Sequence, residues 1–109
     1  MASGRLGSQD LAATTNTIVC TGTSGTVTVA NVNLCNRNAS TAATVRLAIE
    51  DGATGTPANE DYIEYGEVLA AGGGVLERTG IVLAAGHSIV AYSDTANVSA
   101  VAWGIEESA

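Results

Sequence analysis

The sequence lacks the residues that usually fill large cores and protect exposed sheet edges. Its 109 residues include no Phe, one Trp and three Tyr, and its only basic residues besides one His are four Arg, because Lys is absent. A core of Val, Ile, Leu and Ala is therefore expected, in a chain long enough for one domain. With one Pro and no Lys, edge strands would lack their usual protection. We expect another copy, or the N-terminal arm described below, to cover them.

Positive charge and long apolar runs are also scarce. Eleven acidic residues against four Arg give a net charge of −7, which disfavours binding to nucleic acid and to anionic membrane surfaces. The longest uncharged apolar runs fall far short of the roughly 20 residues that span a bilayer, so no membrane segment is expected. The first ten residues lack the apolar stretch of a signal peptide, which predicts synthesis in a cytoplasm.

Cysteine is limited to Cys20 and Cys35. Two cysteines are too few for a disulfide scaffold or for a zinc site built from cysteine alone. We expect two small buried apolar side chains. A Cys20–Cys35 disulfide between neighbouring strands, or a disulfide between subunits, is the alternative.

From Thr17 onward the chain is dense in Val, Ile and Thr, and turn residues recur at the spacing of short strands. The loops are too short for parallel crossovers, so the pairing must be mainly antiparallel. The expected fold class is all-β, a jelly-roll-like β-sandwich with seven or eight short strands. The predicted strands are 17–21, 26–36, 43–50, 61–69, 75–83, 87–93 and 97–105.

Residues 1–16 are predicted to form an extended arm, and residues 17–109 the sandwich domain. The arm is small and polar, and Leu6 and Leu11 are its only large apolar residues after Met1. We expect both leucines to dock on a neighbouring molecule, with Arg5 pairing with a carboxylate there. Deletion of residues 2–12 should then leave a folded domain that no longer assembles.

Two further local features are predicted from spacing. The apolar alternation in 26–36 slips by one position around Ala30 and Asn31, which predicts a β-bulge that turns the later side chains to the other face. Residues 51–60 contain two Gly, one Pro and one Asn, and at this length they are expected to form a contact loop.

Acidic residues cluster at both ends of that loop and on the strands that follow it. The side chains with oxygen ligands at the loop are Glu50, Asp51, Asn59, Glu60 and Asp61. Such ligands could hold calcium. Their spacing fits no EF-hand, however, and a solvated loop is the simpler interpretation. Cross-strand charge pairs are expected between Glu60, Glu64 or Glu67 and the Glu77–Arg78 pair.

No motif for catalysis, cofactor binding or metal binding is found in the sequence. His87 is the only histidine, and no Gly-x-Ser-x-Gly elbow is present. The glycine triplet 72–74 lacks the Gly-Lys-Ser/Thr ending of a phosphate-binding loop. We therefore assign no catalytic, cofactor or metal residue, and we expect the protein not to be an enzyme.

The four aromatic residues allow two interpretations. Trp103, on the last strand, is expected to anchor the core. The alternative is a sugar-stacking surface formed by Trp103 or Tyr62. Strict alternation would put Tyr62 and Tyr65 on opposite faces of their strand, which argues against a platform shared by the two.

Five segments together resemble a family of small virion proteins encoded by tailed bacteriophages, including cyanophages. They are MASGRLG at 1–7, DLAATTNT at 10–17, VNLCNR at 32–37, DYIEY at 61–65 and VLERTGI at 75–81. The resemblance spans nearly the whole chain and implies a structural component of the virion. No catalytic residue is carried over from it.

The resemblance and the composition together predict a homo-oligomer, a trimer, that decorates the capsid. Its partners would be copies of itself and larger virion proteins such as the major capsid or tail proteins. A neck, baseplate or tail-fibre location is the alternative within the same class, and a module that binds host glycans is the alternative from another class.

Overall fold

The computed structural model describes residues 3–109, which form eight β-strands and one short 3-10 turn at Asn59–Asp61. No α-helix occurs within these residues. The strands are β1 (Ser3–Leu11), β2 (Thr17–Thr21), β3 (Thr26–Asn36), β4 (Ala43–Glu50), β5 (Tyr62–Leu69), β6 (Val75–Leu83), β7 (Ser88–Ser93) and β8 (Val98–Ser108).

The strands form two antiparallel four-stranded sheets that pack face to face. The first sheet has the order β1-β8-β3-β6 and the second β2-β7-β4-β5. Strand 1 thus lies beside strand 8, 2 beside 7, 3 beside 6 and 4 beside 5, as in a long hairpin that has been rolled up. This arrangement is the jelly roll, and the predicted all-β sandwich is confirmed.

The core lies between the sheets and consists of aliphatic side chains, as the composition predicts. Leu34, Leu47, Leu83 and Ile89 are completely buried there. Alanines fill several further positions, among them Ala100 and Ala102 on β8. Small side chains let the two sheets approach closely, which compensates for the lack of Phe.

The structure does not confirm the N-terminal arm as a separate segment. Residues 3–11 form β1, which pairs along its length with β8 of the same molecule. Leu11 is 1% exposed and belongs to the core, and Leu6 packs against the core. These two leucines are therefore occupied within their own chain; Met1 and Ala2 lie outside the described residues.

The predicted bulge near Ala30 exists, but the extra residue lies in β6 instead of β3. Two β6 residues, Thr79 and Gly80, stand between the partners of Ala30 and Val32. Along β3 the alternation is unbroken, with Thr26, Thr28, Ala30, Val32, Leu34 and Asn36 all facing inward. The prediction that the side chains of this strand change faces was wrong. Thr26 and Thr28 fill the inward positions before Ala30, so Val29 faces outward.

Every edge strand carries an irregularity of its own. The register shifts between β1 and β8, β2 and β7, β4 and β5, and β3 and β6, whereas the central pairings β3–β8 and β4–β7 show no shift. The extra residues are Leu6 in β1, Val19 in β2, Ile63 and Gly66 in β5, and one of the Thr79–Gly80 pair in β6. Bulges discourage edge-to-edge pairing, so the edges are protected without Lys or Pro.

Candidate interaction surface

The outward face of the first sheet carries three adjacent exposed aliphatic side chains. Val29 on β3 lies directly across from Val82 on β6 and from Ile105 on β8. Their exposed fractions are 38%, 61% and 45% respectively. We call Val29, Val82 and Ile105 the outer apolar patch. Complete burial of such a side chain is worth about 1.5–3 kcal/mol relative to full exposure, so a covering partner would gain roughly half of that at each.

Trp103 extends this apolar surface along β8. It lies across from Asn31 on β3 and across from Arg5 on β1. Asn31 and Arg5 share the outward face of the sheet with Val29 and Ile105, and Trp103 is half-buried among them. The expectation that Trp103 anchors the core was therefore wrong, because the core positions of β8 are taken by Val98, Ala100 and Ala102.

Arg5 and Glu77 stand at opposite edges of the same outward face. Arg5 is on β1 and Glu77 is on β6, where it pairs with Asn33. Both are exposed. Three inter-strand spacings separate their strands, about 14 Å, and neither side chain has an ion-pair partner within residues 3–109. The two charges can therefore meet only between different molecules.

The outward face of the second sheet holds an aromatic cluster around Arg46. The Arg46 Cζ atom lies 4.3 Å from the ring centre of Tyr65 and 4.5 Å from that of Tyr92. Tyr62 meets Tyr65 edge to face at 5.0 Å. The expectation of opposite faces for Tyr62 and Tyr65 was wrong, because the extra residue Ile63 shifts the alternation between them.

Tyr62 and Trp103, the two residues considered for glycan contact, lie on the outward faces of different sheets. They cannot contribute to one site within a molecule. A glycan surface would have to be built around one of them alone, and Tyr62 has further aromatic neighbours.

The loop after β4 is tied back to the last residue of that strand. Glu50 is 4% exposed, and its carboxylate accepts hydrogen bonds from the Thr54 hydroxyl, the Thr54 N–H at 3.2 Å and the Gly55 N–H at 2.9 Å. These bonds, first that of the Thr54 hydroxyl, lower the pKa of Glu50 below its ordinary value. Glu50 thereby fastens the loop to the strand that precedes it.

Two of the other acidic residues considered for calcium, Asp51 and Asp61, have protein partners as well. Asp61 accepts a hydrogen bond from the Ala58 N–H at 2.9 Å, and Asp51 lies 3.0 Å from Nε2 of His87. Within residues 3–109 no three His, Cys, Asp or Glu side chains come together in a way that could hold a metal ion.

One of the expected charge pairs is present, but it joins the two sheets. Arg78 on β6 donates to Glu64 on β5 with a distance of 2.7 Å, and these edge strands belong to different sheets. The pair therefore closes one side of the sandwich. On the other side Gly7 approaches β2 so closely that a β-carbon there would stand 2.0 Å from the Val19 carbonyl oxygen.

Cys20 and Cys35 are both free, so the structure contains no disulfide between them. Cys20 belongs to the core, and its burial raises the pKa of its thiol to about 11. Cys35 is half-buried and pairs with Val75 and Ser99 on the first sheet. The interpretation of two small apolar side chains therefore fits Cys20 better than Cys35.

Comparison of the chain with protein-family models, with curated proteins and with solved structures finds no match. Within residues 3–109 no helix has both the length and the apolar character needed to cross a membrane. The functional argument therefore depends on the surfaces described above.

Proposed function

We propose that this protein is a non-enzymatic structural component of a tailed-bacteriophage virion, a decoration protein that self-associates as a trimer on the capsid surface. The observation that carries the proposal is the outer apolar patch. It places Val29, Val82 and Ile105 side by side on a sheet face, where all three stay exposed among the residues that the structure describes. Exposed apolar groups in contact with one another are typical of protein interaction sites.

The irregular edge strands favour association through this face. Bulges in all four edge strands hinder extension of either sheet by a further strand. Side chains on the outward face, in contrast, remain open to a partner. Self-association would thus bury the patch without merging the sheets of different copies. The composition alone had suggested that another copy covers the sheet edges, whereas this contact uses the outward face.

The charges on this face favour a cyclic arrangement. Arg5 at one edge and Glu77 at the other can pair only between copies, one copy's Arg5 with the next copy's Glu77. Such a head-to-tail contact forms a closed ring when the rotation between copies closes. In a three-fold ring with the outer apolar patch near its axis, Arg5 of each copy can pair with Glu77 of the next, and the patch is buried between the copies.

The jelly roll is compatible with this role, because the fold occurs in viral capsid proteins as well as in lectins and cupins. A fold alone does not determine function. The proposal rests on the surface together with the resemblance of the sequence to small virion proteins.

The proposal is tested by locating the protein on purified phage particles from infected cells that express it. Gold-labelled antibodies against the protein should mark the shell over its whole surface. Labelling confined to the neck, baseplate or fibres would replace decoration by a tail location. Particles that contain none of the protein would refute a virion role.

A further inference from the structure

Arg46 stands between two aromatic rings on the outward face of the second sheet. Its strand β4 is central, and the register puts Tyr65 of β5 on one side of Arg46 and Tyr92 of β7 on the other. The guanidinium carbon lies within 4.5 Å of both ring centres. Two rings that flank a planar cation restrict its rotation, so the side chain is held in one orientation before any ligand arrives.

The N–H groups of this guanidinium have no partner in the described part of the chain. Arg37 pairs with Asp10 and Arg78 with Glu64, whereas within residues 3–109 the side chain of Arg46 forms no hydrogen bond or ion pair. Stacking occupies the faces of a guanidinium and leaves its rim of donors free. The chain has a net charge of −7, yet this half-buried cation has no carboxylate partner. Its N–H donors are therefore available to bind an external anion.

The surroundings of Arg46 indicate which anion fits. Tyr65 is 65% exposed and Tyr62 leans against it, which gives an aromatic surface beside the charged rim. The hydroxyl groups of Tyr62, Tyr65 and Tyr92 form no hydrogen bond within residues 3–109. A ligand that combines a carboxylate with a ring of C–H and hydroxyl groups would use all of these features, because its carboxylate can take two parallel bonds from the guanidinium.

We propose that Arg46, Tyr65 and Tyr92 form a binding site for a carboxylate-bearing sugar, such as a uronic acid unit of a surface glycan. The Arg46 guanidinium binds the carboxylate in bidentate fashion. The rings of Tyr65 and Tyr62 contact the pyranose ring, and the tyrosine hydroxyls bind its hydroxyl groups. The site lies on the sheet opposite to the outer apolar patch, so it is independent of the proposed self-association.

The test is a titration of the intact protein with glucuronate, followed by NMR of the tyrosine ring signals. Glucuronate should shift the signals of Tyr65 and Tyr92 saturably. Glucose, which has the ring without the carboxylate, should not. Glutamate at equal ionic strength should bind at least tenfold more weakly, because it lacks the sugar ring. Equal binding of glutamate would overturn the sugar assignment and indicate a site for protein carboxylates; no saturable shift with glucuronate would overturn the site.

Two variants locate the binding. Arg46→Lys keeps the charge but loses the bidentate fork, and should weaken glucuronate binding at least tenfold. Arg5→Lys makes the same change on the opposite sheet and should bind as the wild type does. Equal weakening in both variants would refute the assignment to Arg46. The ligand comparison in the wild type stands even if Arg46→Lys fails to fold, and Val82→Glu should leave binding unchanged, which separates this site from the apolar patch.

Discussion

Gly104 lies so close to Val29 that a β-carbon on the glycine would stand 1.9 Å from the Val29 carbonyl oxygen. Gly104 also has a φ of +157°, a conformation that is costly for residues with side chains. The close approach occurs in the middle of the first sheet, one residue before Ile105. The glycine thus permits the pairing that brings the members of the outer apolar patch together.

Gly104→Ala should lower the free energy of unfolding by about 3 kcal/mol, because both a clash and an unfavourable φ are introduced. Gly25→Ala is the matched control: Gly25 has a φ of +78° but open space around it, so about 1 kcal/mol is expected. Urea denaturation measures both values. Equal losses would show that the close approach to Val29 is unimportant.

Most strand boundaries from β2 to β7 could be predicted from the sequence because local signals mark them, whereas β1 was not predicted and β8 extends to Ser108. Val75–Leu83, for example, follows the glycine triplet 72–74 and was predicted with its observed bounds. The faces could not be predicted where a bulge intervenes. Ile63 is the extra residue that brings Tyr62 and Tyr65 to one face, and nothing in its side chain distinguishes it from a regular strand residue.

The cluster around Arg46 was missed for a related reason. Its members come from β4, β5 and β7, so they meet only once the strand order is known. The alternation of Val45, Arg46 and Leu47 signals an outward arginine, but not its aromatic neighbours. The N-terminal segment was misjudged because an edge strand with two glycines and a bulge at Leu6 has no clear period of two.

Leu11→Ala should lower the free energy of unfolding by about 2–5 kcal/mol, because the side chain fills the core and its loss leaves a cavity. Val68→Ala, at a position that is 59% exposed, should change it by less than about 0.5 kcal/mol. Urea denaturation again gives the values. A Leu11→Ala variant that is as stable as the wild type but fails to assemble would contradict this account. It would support the sequence-based prediction of an arm whose Leu11 docks on a neighbouring molecule.

Thr28→Val should stabilise the protein by about 1 kcal/mol. The Thr28 hydroxyl is buried and has no hydrogen-bond partner within residues 3–109, so its removal ends a desolvation cost. Thr26→Val should have the opposite effect, a loss of about 1 kcal/mol, because the Thr26 hydroxyl donates to the Thr23 carbonyl at 2.7 Å. Thermal unfolding of the two variants checks the contrast in sign.

Glu50→Gln should reduce the dependence of stability on acidic pH. Hydrogen bonds, first that from the Thr54 hydroxyl, lower the pKa of Glu50 below the ordinary 4.5. The folded state therefore favours the ionised form, and the resulting stability is present above pH 4.5 and is lost as the pH falls through the lowered pKa. Urea unfolding from pH 6 to about pH 3 measures this loss.

The exposed Glu60 provides the control for that measurement. Glu60→Gln should retain the acid dependence of the wild type, whereas Glu50→Gln should flatten it. The account would be contradicted if neither variant flattened the dependence of stability on pH, or if both flattened it to the same degree. The Glu50 contact with the loop would then not govern stability in acid.

Self-association through the outer apolar patch is tested most directly by sedimentation equilibrium of the wild type, Val82→Glu and Val68→Glu. The two variants add the same charge at positions of similar exposure, 61% and 59%, on opposite sheets. We predict three times the chain mass of 10.8 kDa for the wild type and for Val68→Glu, and the single-chain mass for Val82→Glu. A monomeric wild type, or a Val82→Glu variant that remains trimeric, would contradict the account.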